Sequence, residues 1–294
     1  VFDGFTRARV DTGEVFINCV HAGKGPAVLL LHGYPQNLAE WAHVAPRLVD
    51  AGFSVVCADL RGYGDSDKPA CAPDHSTYSF RAMAADQARL MAALGHDAFA
   101  VAGHDRGART AHRLALDWSD RVTHLAVLDI VPTYDMYDGV TKRLAQTYWQ
   151  WYFLPAKAPL PETLIGADPD FFYESCLASV GGIGLADFDP ALLEEYRRCW
   201  RAPEAISAWC SDYRAGASID LEHDAADLGR KLDMPVLALW GADGIMQTLF
   251  DIRALWERRA TRLSTATAPG GHWFPEQAPA ETADALIAHF RTAR

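Results

Sequence analysis

Short, almost wholly apolar runs recur along this chain, and the segments between them carry apolar residues at helical spacing. The runs are "EVFINCVHAG", "AVLLLHG", "FSVVCADLRG", "AFAVAGHD", "HLAVLDIVP" and "PVLALWGADG", each closing on a Gly, Asp, His or Pro. A strand that is apolar on both faces must be covered on both, as in a mostly parallel sheet with helices above and below. "SFRAMAADQARLMAALGH", with apolar residues three and four apart, reads as one of the covering helices. Strand alternating with helix predicts an α/β fold on a doubly wound, mostly parallel sheet.

The alternation breaks after Pro132. From residue 133 to 223 the sequence is aromatic-rich and helical, and strand signals resume at "MPVLALWG". This is the pattern of an insertion over the open end of a sheet, where ligands of α/β folds bind. It predicts a core domain made of 1–132 and 224–294 and a helical cap domain of 133–223. With 294 residues, half of them hydrophobic, the chain is long enough for both. No internal repeat or low-complexity tract interrupts it.

A net charge of -11 argues against a nucleic-acid or anionic-membrane partner, because a phosphate-binding surface needs an excess of Lys and Arg. Any anion must be caught locally. The six cysteines show no Cys-x-x-Cys spacing, so neither a metal site nor a disulfide framework is expected, and reduced thiols suit a cytoplasmic protein. The start, "VFDGFTRARV", lacks a charged segment leading into an apolar one, and no run approaches the ~18 apolar residues of a membrane span. The glycines of "RGYGDSDKP" lack the G-x-G-x-x-G form and read as a turn, so no cofactor is implied.

The chemistry concentrates in "GHDRGART", residues 103 to 110, between an apolar run and a helical pattern. Strand, Gly-x-x-x-Gly turn and helix together form a sharp elbow that exposes its central residue above a sheet. That residue is Asp105, where a serine is more usual. A plain reading makes Asp105 the cap of the following helix, but this leaves two other features unexplained. "HGYPQ", His32 to Gln36, follows the second run, where a loop can supply backbone N–H groups to an oxyanion; Tyr34 and Arg106 are the expected donors. His272 in "APGGHWFPEQAP" comes late, after two candidate acids. Nucleophile, acid and histidine in that chain order suit a hydrolase triad.

A carboxylate nucleophile suits displacement at an sp3 carbon, which gives an alkyl ester that water then hydrolyses with a histidine base. That narrows the chemistry to dehalogenation or epoxide opening. Arg106 and Arg109, in the first turn of the next helix, oppose the helix dipole and need something negative beside them. Asp105 is one candidate, a substrate carboxylate gripped by both forks is a second, and acids of the cap or core are a third. For the triad acid, Asp129 ends an apolar strand in "AVLDIVP", whereas Asp243 in "WGADG" sits off the usual Gly-x-x-Asp spacing and reads as a turn residue.

These residues resemble the fluoroacetate and haloacetate dehalogenases of the α/β-hydrolase fold. The similarity runs through "HGYPQ", "DLRGYGDSDKP", "AGHDRGAR", "AVLDIVPTY", "APLPETLIGADPDFF", "DYRAGASIDLEHD" and "GHWFPEQAP", most of the chain. It implies Asp105 as nucleophile, Asp129 as acid, His272 as base, Arg106 and Arg109 as ligands of the substrate carboxylate, no cofactor, and a homodimer. It further implies a halide pocket of Trp151, Tyr213 and a third residue, which is His in the family and Gln150 here. A neutral amide in place of an imidazole leads us to expect chloroacetate and bromoacetate to be turned over faster than fluoroacetate. Read without the family, "TYWQWYF" is simply a buried cap helix.

Two rival readings remain. An epoxide hydrolase shares the Asp nucleophile and His base but needs cap tyrosines as acids, and the position of the first falls on Trp149. A non-catalytic binding protein of the same fold would have no use for the whole triad.

Overall fold

The computed structural model describes residues 2–180 and 183–293. One eight-stranded sheet runs through it, made of β1 (Thr6–Asp11), β2 (Phe16–Ala22), β3 (Ala27–Leu31), β4 (Ser54–Ala58), β5 (Phe99–His104), β6 (Val122–Leu128), β7 (Leu232–Gly241) and β8 (Ala260–Ala268). Their order is β1-β2-β4-β3-β5-β6-β7-β8, with β2 antiparallel to β1 and β4 and the other pairs parallel. The expected doubly wound sheet is therefore present.

Two strands were not among the apolar runs, and both lie at the edges. β1, "TRARVD", and β8, "ATRLSTATA", are largely exposed or half-buried and carry alternating polar residues, because an edge strand has less to bury. As a consequence the "HGYPQ" turn follows the third strand and not the second. The central strands behave as their composition demands: every residue of β3 and β5 is buried.

Between β6 and β7 the described residues contain no strand, only helices running from Thr133–Asp138 to Ile219–Ala226. The expected cap, 133–223, falls inside this stretch, apart from residues 181 and 182, which lie outside the described residues. These helices have their own aromatic centre, with Tyr173 stacked on Trp200 at 5.4 Å and edge-on to Trp209 at 4.9 Å. They are tied to the sheet's carboxyl end by Tyr34 against Tyr213, 5.0 Å between ring centroids, and by Trp273 Nε1–H donating to Leu177 O at 2.9 Å. No helix among the described residues is long and apolar enough to cross a membrane.

The turn from β5 into the helix Arg106–Asp117 is tight enough to dictate its glycines. A Cβ on Gly103 would lie 2.3 Å from Gly107 O, and one on Gly107 would lie 2.3 Å from Leu31 O. Between them Asp105 is held at φ +46°, ψ -114°, a backbone conformation that L-residues rarely adopt. Its side chain makes no capping bond to the helix that follows. The plain helix-cap reading of Asp105 thus fails, and the strained residue is turned instead toward the space beneath the cap.

Candidate active site

Asp105, His272, Tyr148, Trp151, Tyr213 and Gln150 line one small cavity between sheet and cap, with about 260 Å³ of space not filled by atoms. Larger open grooves lie elsewhere on the surface. One is lined by Asp65, Glu194, Glu195, Arg198 and Arg201, whose charges already pair with one another, and it holds no nucleophile.

The core supplies the floor of the cavity. The backbone N–H of Tyr34 donates to Asp105 Oδ1 at 3.1 Å, so one carboxylate oxygen sits where an oxyanion donor can hold it. Arg106 opens its helix, so its N–H is one of the first-turn donors without an intrahelical partner. His272 Nδ1 lies 2.6 Å from Asp129 Oδ2. Asp129 is itself held at φ +52°, with its other oxygen 3.4 Å from Gly241 N. Asp243 is elsewhere, accepting from Gly270 N at 3.3 Å across its own turn. Of the two candidate acids, the one brought to His272 is Asp129. Burial alone would raise the Asp105 pKa, but His272, His104, Arg109 and Arg106 together hold it below the ordinary aspartate range. The nucleophile candidate is therefore ionised at neutral pH.

The two arginines part company. Arg106 is fully buried and turned to the cap: Nε donates to Asp212 Oδ2 at 2.9 Å, Nη2 to Asp212 O at 2.8 Å and to Asp212 Oδ1. This corrects the expectation that its whole fork awaits a substrate. A carboxylate is there, but it belongs to the helix Pro203–Gly216, and only Nη1 is left without a partner. Arg109 has no such acid. Its Nη1 donates to Val131 O at 3.1 Å and Thr133 Oγ1 at 3.2 Å, while Nε has no partner. Burial lowers its pKa to about 10, still charged at neutral pH, with Asp105 the first of the groups that counter this. Both guanidiniums lie over the Trp151 ring, Arg109 at 4.5 Å and Arg106 at 5.7 Å from its centroid.

From the cap, Trp151, Tyr213 and Gln150 are all buried, and Gln150 Oε1 has no partner. Sequence reasoning missed Tyr148. The helix Lys142–Thr147 ends just before it and a new one, Gln150–Phe153, begins just after. That break turns Tyr148 inward and Trp149 outward, where Trp149 packs against Phe172 at 5.5 Å and Phe153 at 6.1 Å. The Tyr148 hydroxyl is buried without a partner, its ring 6.3 Å from that of His272. Pairing the first cap tyrosine with Trp149 therefore does not remove a phenol from the cavity. No cluster of three or more His, Cys, Asp or Glu able to hold a metal occurs among the described residues.

A carboxylate on a strained elbow, a backbone donor on its oxygen, and a His–Asp pair following in chain order define the class. The chain belongs to the α/β-hydrolase fold family, whose model matches residues 26–279, and it is a hydrolase. Within that family it is a member of the fluoroacetate dehalogenase group, being 54% identical over 294 residues to the fluoroacetate dehalogenase of Burkholderia sp, covering all of this chain and 96% of that one. It is also 32% identical over 278 residues to a soluble epoxide hydrolase of Corynebacterium sp. (strain C12), covering 94% and 93% of the two chains. A solved structure from Nostoc sp PCC 7120, described as an alpha/beta hydrolase, superimposes with a TM-score of 0.96 at 48% identity, covering 98% and 99%.

Proposed function

We propose that the protein hydrolyses carbon–halogen bonds of 2-haloacetates, giving glycolate and halide through an ester on Asp105. The observation that carries this reading is an ionised Asp105 carboxylate in a small cavity that Arg109, a guanidinium with no acid of its own, flanks. A small anionic substrate completes that arrangement, since Arg forks match carboxylates.

In the first step one Asp105 oxygen bonds to the carbon bearing the halogen and halide leaves, helped by the Trp151 N–H, the Tyr213 hydroxyl and the Gln150 amide. In the second, His272 takes a proton from water, hydroxide adds to Asp105 Cγ, and the oxyanion forms on the oxygen held by the Tyr34 N–H. Collapse expels glycolate, which recovers the proton from His272. Asp129 orients the ring and supports its transient charge.

A second reading has one specific observation behind it. Tyr148 and Tyr213 both line the cavity, so two phenols are available to protonate an opening epoxide. Incubation with chloroacetate, fluoroacetate, 1-chlorobutane and styrene oxide separates the two. Halide release from the haloacetates with little from 1-chlorobutane supports the first reading; diol formation without halide release from any acid supports the second.

A further inference from the structure

His104 immediately precedes the nucleophile, is fully buried, and takes no part in either step described above. Its two ring nitrogens both face oxygens. Nε2 is 2.9 Å from the backbone carbonyl of His272, and Nδ1 is 2.7 Å from Glu40 Oε1, a contact bent away from the line a hydrogen bond prefers. A carbonyl accepts only, so Nε2 carries a proton, and a second proton must lie between Nδ1 and the carboxylate. Glu40 also reaches the turn before Tyr34, since its Oε2 accepts from Gly33 N at 2.8 Å. The segments are pressed together there: a Cβ on Gly33 would lie 2.9 Å from Asp105 Cβ and 3.0 Å from His104 Nδ1.

One buried His–Glu contact thus joins the three segments that carry the oxyanion donor, the nucleophile and the base. We propose that Glu40 and His104 form a positioning pair for hydrolysis of the Asp105 ester, holding the Tyr34 N–H and His272 in register with the Asp105 carbonyl. The second step needs all three segments aligned, whereas halide displacement needs only Asp105 and the cap. Breaking the pair should therefore slow ester hydrolysis selectively. The inference rests on the two-step reading above.

Electrostatics agree with the geometry. Burial opposes a charge on His104, but Glu40, Asp105 and Asp129 raise its pKa to about 9; His272 and Glu276 also face it, the rings of the two histidines lying 4.7 Å apart. The ester-hydrolysis rate should accordingly fall as pH rises through His104 deprotonation.

The test is rapid-quench kinetics with chloroacetate on Glu40→Gln, and on His104→Gln, whose amide can still donate to the His272 carbonyl. We expect the chloride burst to stay within about threefold of the parent, turnover to fall about ten- to hundredfold, and ester to accumulate on Asp105. In the parent enzyme, which requires no variant, the ester-hydrolysis rate should fall at alkaline pH while the burst rate does not. Equal slowing of both steps, or no slowing of either, overturns the positioning role. Absence of any ester, even in His272→Asn, overturns the two-step reading itself.

Discussion

The two halves of the cavity are built differently. On the sheet side most polar groups nearest Asp105 are already partnered by hydrogen bonds, Asp129 with His272 and Gly241, Asp105 with Tyr34 and Glu40 with Gly33, although His104 Nδ1 and Glu40 Oε1 meet without good hydrogen-bond geometry. On the cap side and along the seam they are not, for Tyr148 Oη, Tyr137 Oη, Gln150 Oε1, Arg106 Nη1 and Arg109 Nε are all buried without a partner. A buried polar atom left unpaired costs about 1–3 kcal/mol. Groups that bear such a cost in the free protein are those a ligand can relieve. The sheet side is thus arranged for the reaction before substrate arrives, and the cap side is completed by the substrate.

This contrast predicts that changes on the sheet side abolish chemistry while changes on the cap side retune it. The largest effect should come from Asp105→Asn, whose amide keeps the shape but is a poor nucleophile. Halide release should drop by at least roughly a thousandfold with an unchanged circular-dichroism spectrum. At the seam, Arg109→Lys replaces a planar fork by a point charge and should lower kcat/KM on chloroacetate about ten- to a hundredfold. Arg106→Lys should instead loosen the cap, visible as a lower melting temperature, because its fork is occupied by Asp212. If the two variants behave alike in both assays, the distinction between the arginines is wrong.

A smaller change is expected at Gln150. A charge-assisted hydrogen bond to departing halide is roughly twice as strong as a neutral one, so Gln150→His should raise the fluoride-to-chloride rate ratio by about tenfold. An unchanged ratio would assign the preference to the size of the cavity. The smallest effect is on stability against pH. Burial raises Glu276 to about 8 from its ordinary 4.5, and His104 stands at about 9 against 6.5. Between these values the folded protein holds protons that the unfolded chain has released. Stability from Glu276 is complete below pH 4.5 and lost as pH rises through 8, and that from His104 is complete below 6.5 and lost through 9. Melting temperature should therefore decline from pH 6.5 to 9, less steeply in Glu40→Gln.

The sheet side was also the more legible half. The elbow and the "HG" turn announce themselves because each sits where an apolar strand ends, and the elbow's glycines are forced by close backbone contact, while the late histidine is marked by its Gly-Gly-His turn near the C-terminus. β1 and β8 escaped because edge strands bury little and so lack the apolar signature. Asp212 could not be foreseen as the partner of Arg106, since the two stand 106 positions apart and meet only in three dimensions. Tyr148 was missed for a local reason: a break between two short helices shifts which aromatic faces inward, and periodicity reads "TYWQWYF" as though it were continuous. His104 was within an expected strand and turn segment and Glu40 lies four residues beyond the "HGYPQ" turn, but nothing in the sequence says that this carboxylate meets the imidazole beside the nucleophile.

The central claim is that Asp105 forms the ester and His272 is needed only to hydrolyse it. His272→Asn incubated with chloroacetate, digested and analysed by mass spectrometry tests this most directly. The account predicts about one equivalent of chloride released per protein chain, after which turnover stops, and a mass gain of one carboxymethyl group on the peptide that contains Asp105. Chloride release with no modified peptide, or modification at any residue other than Asp105, would contradict it.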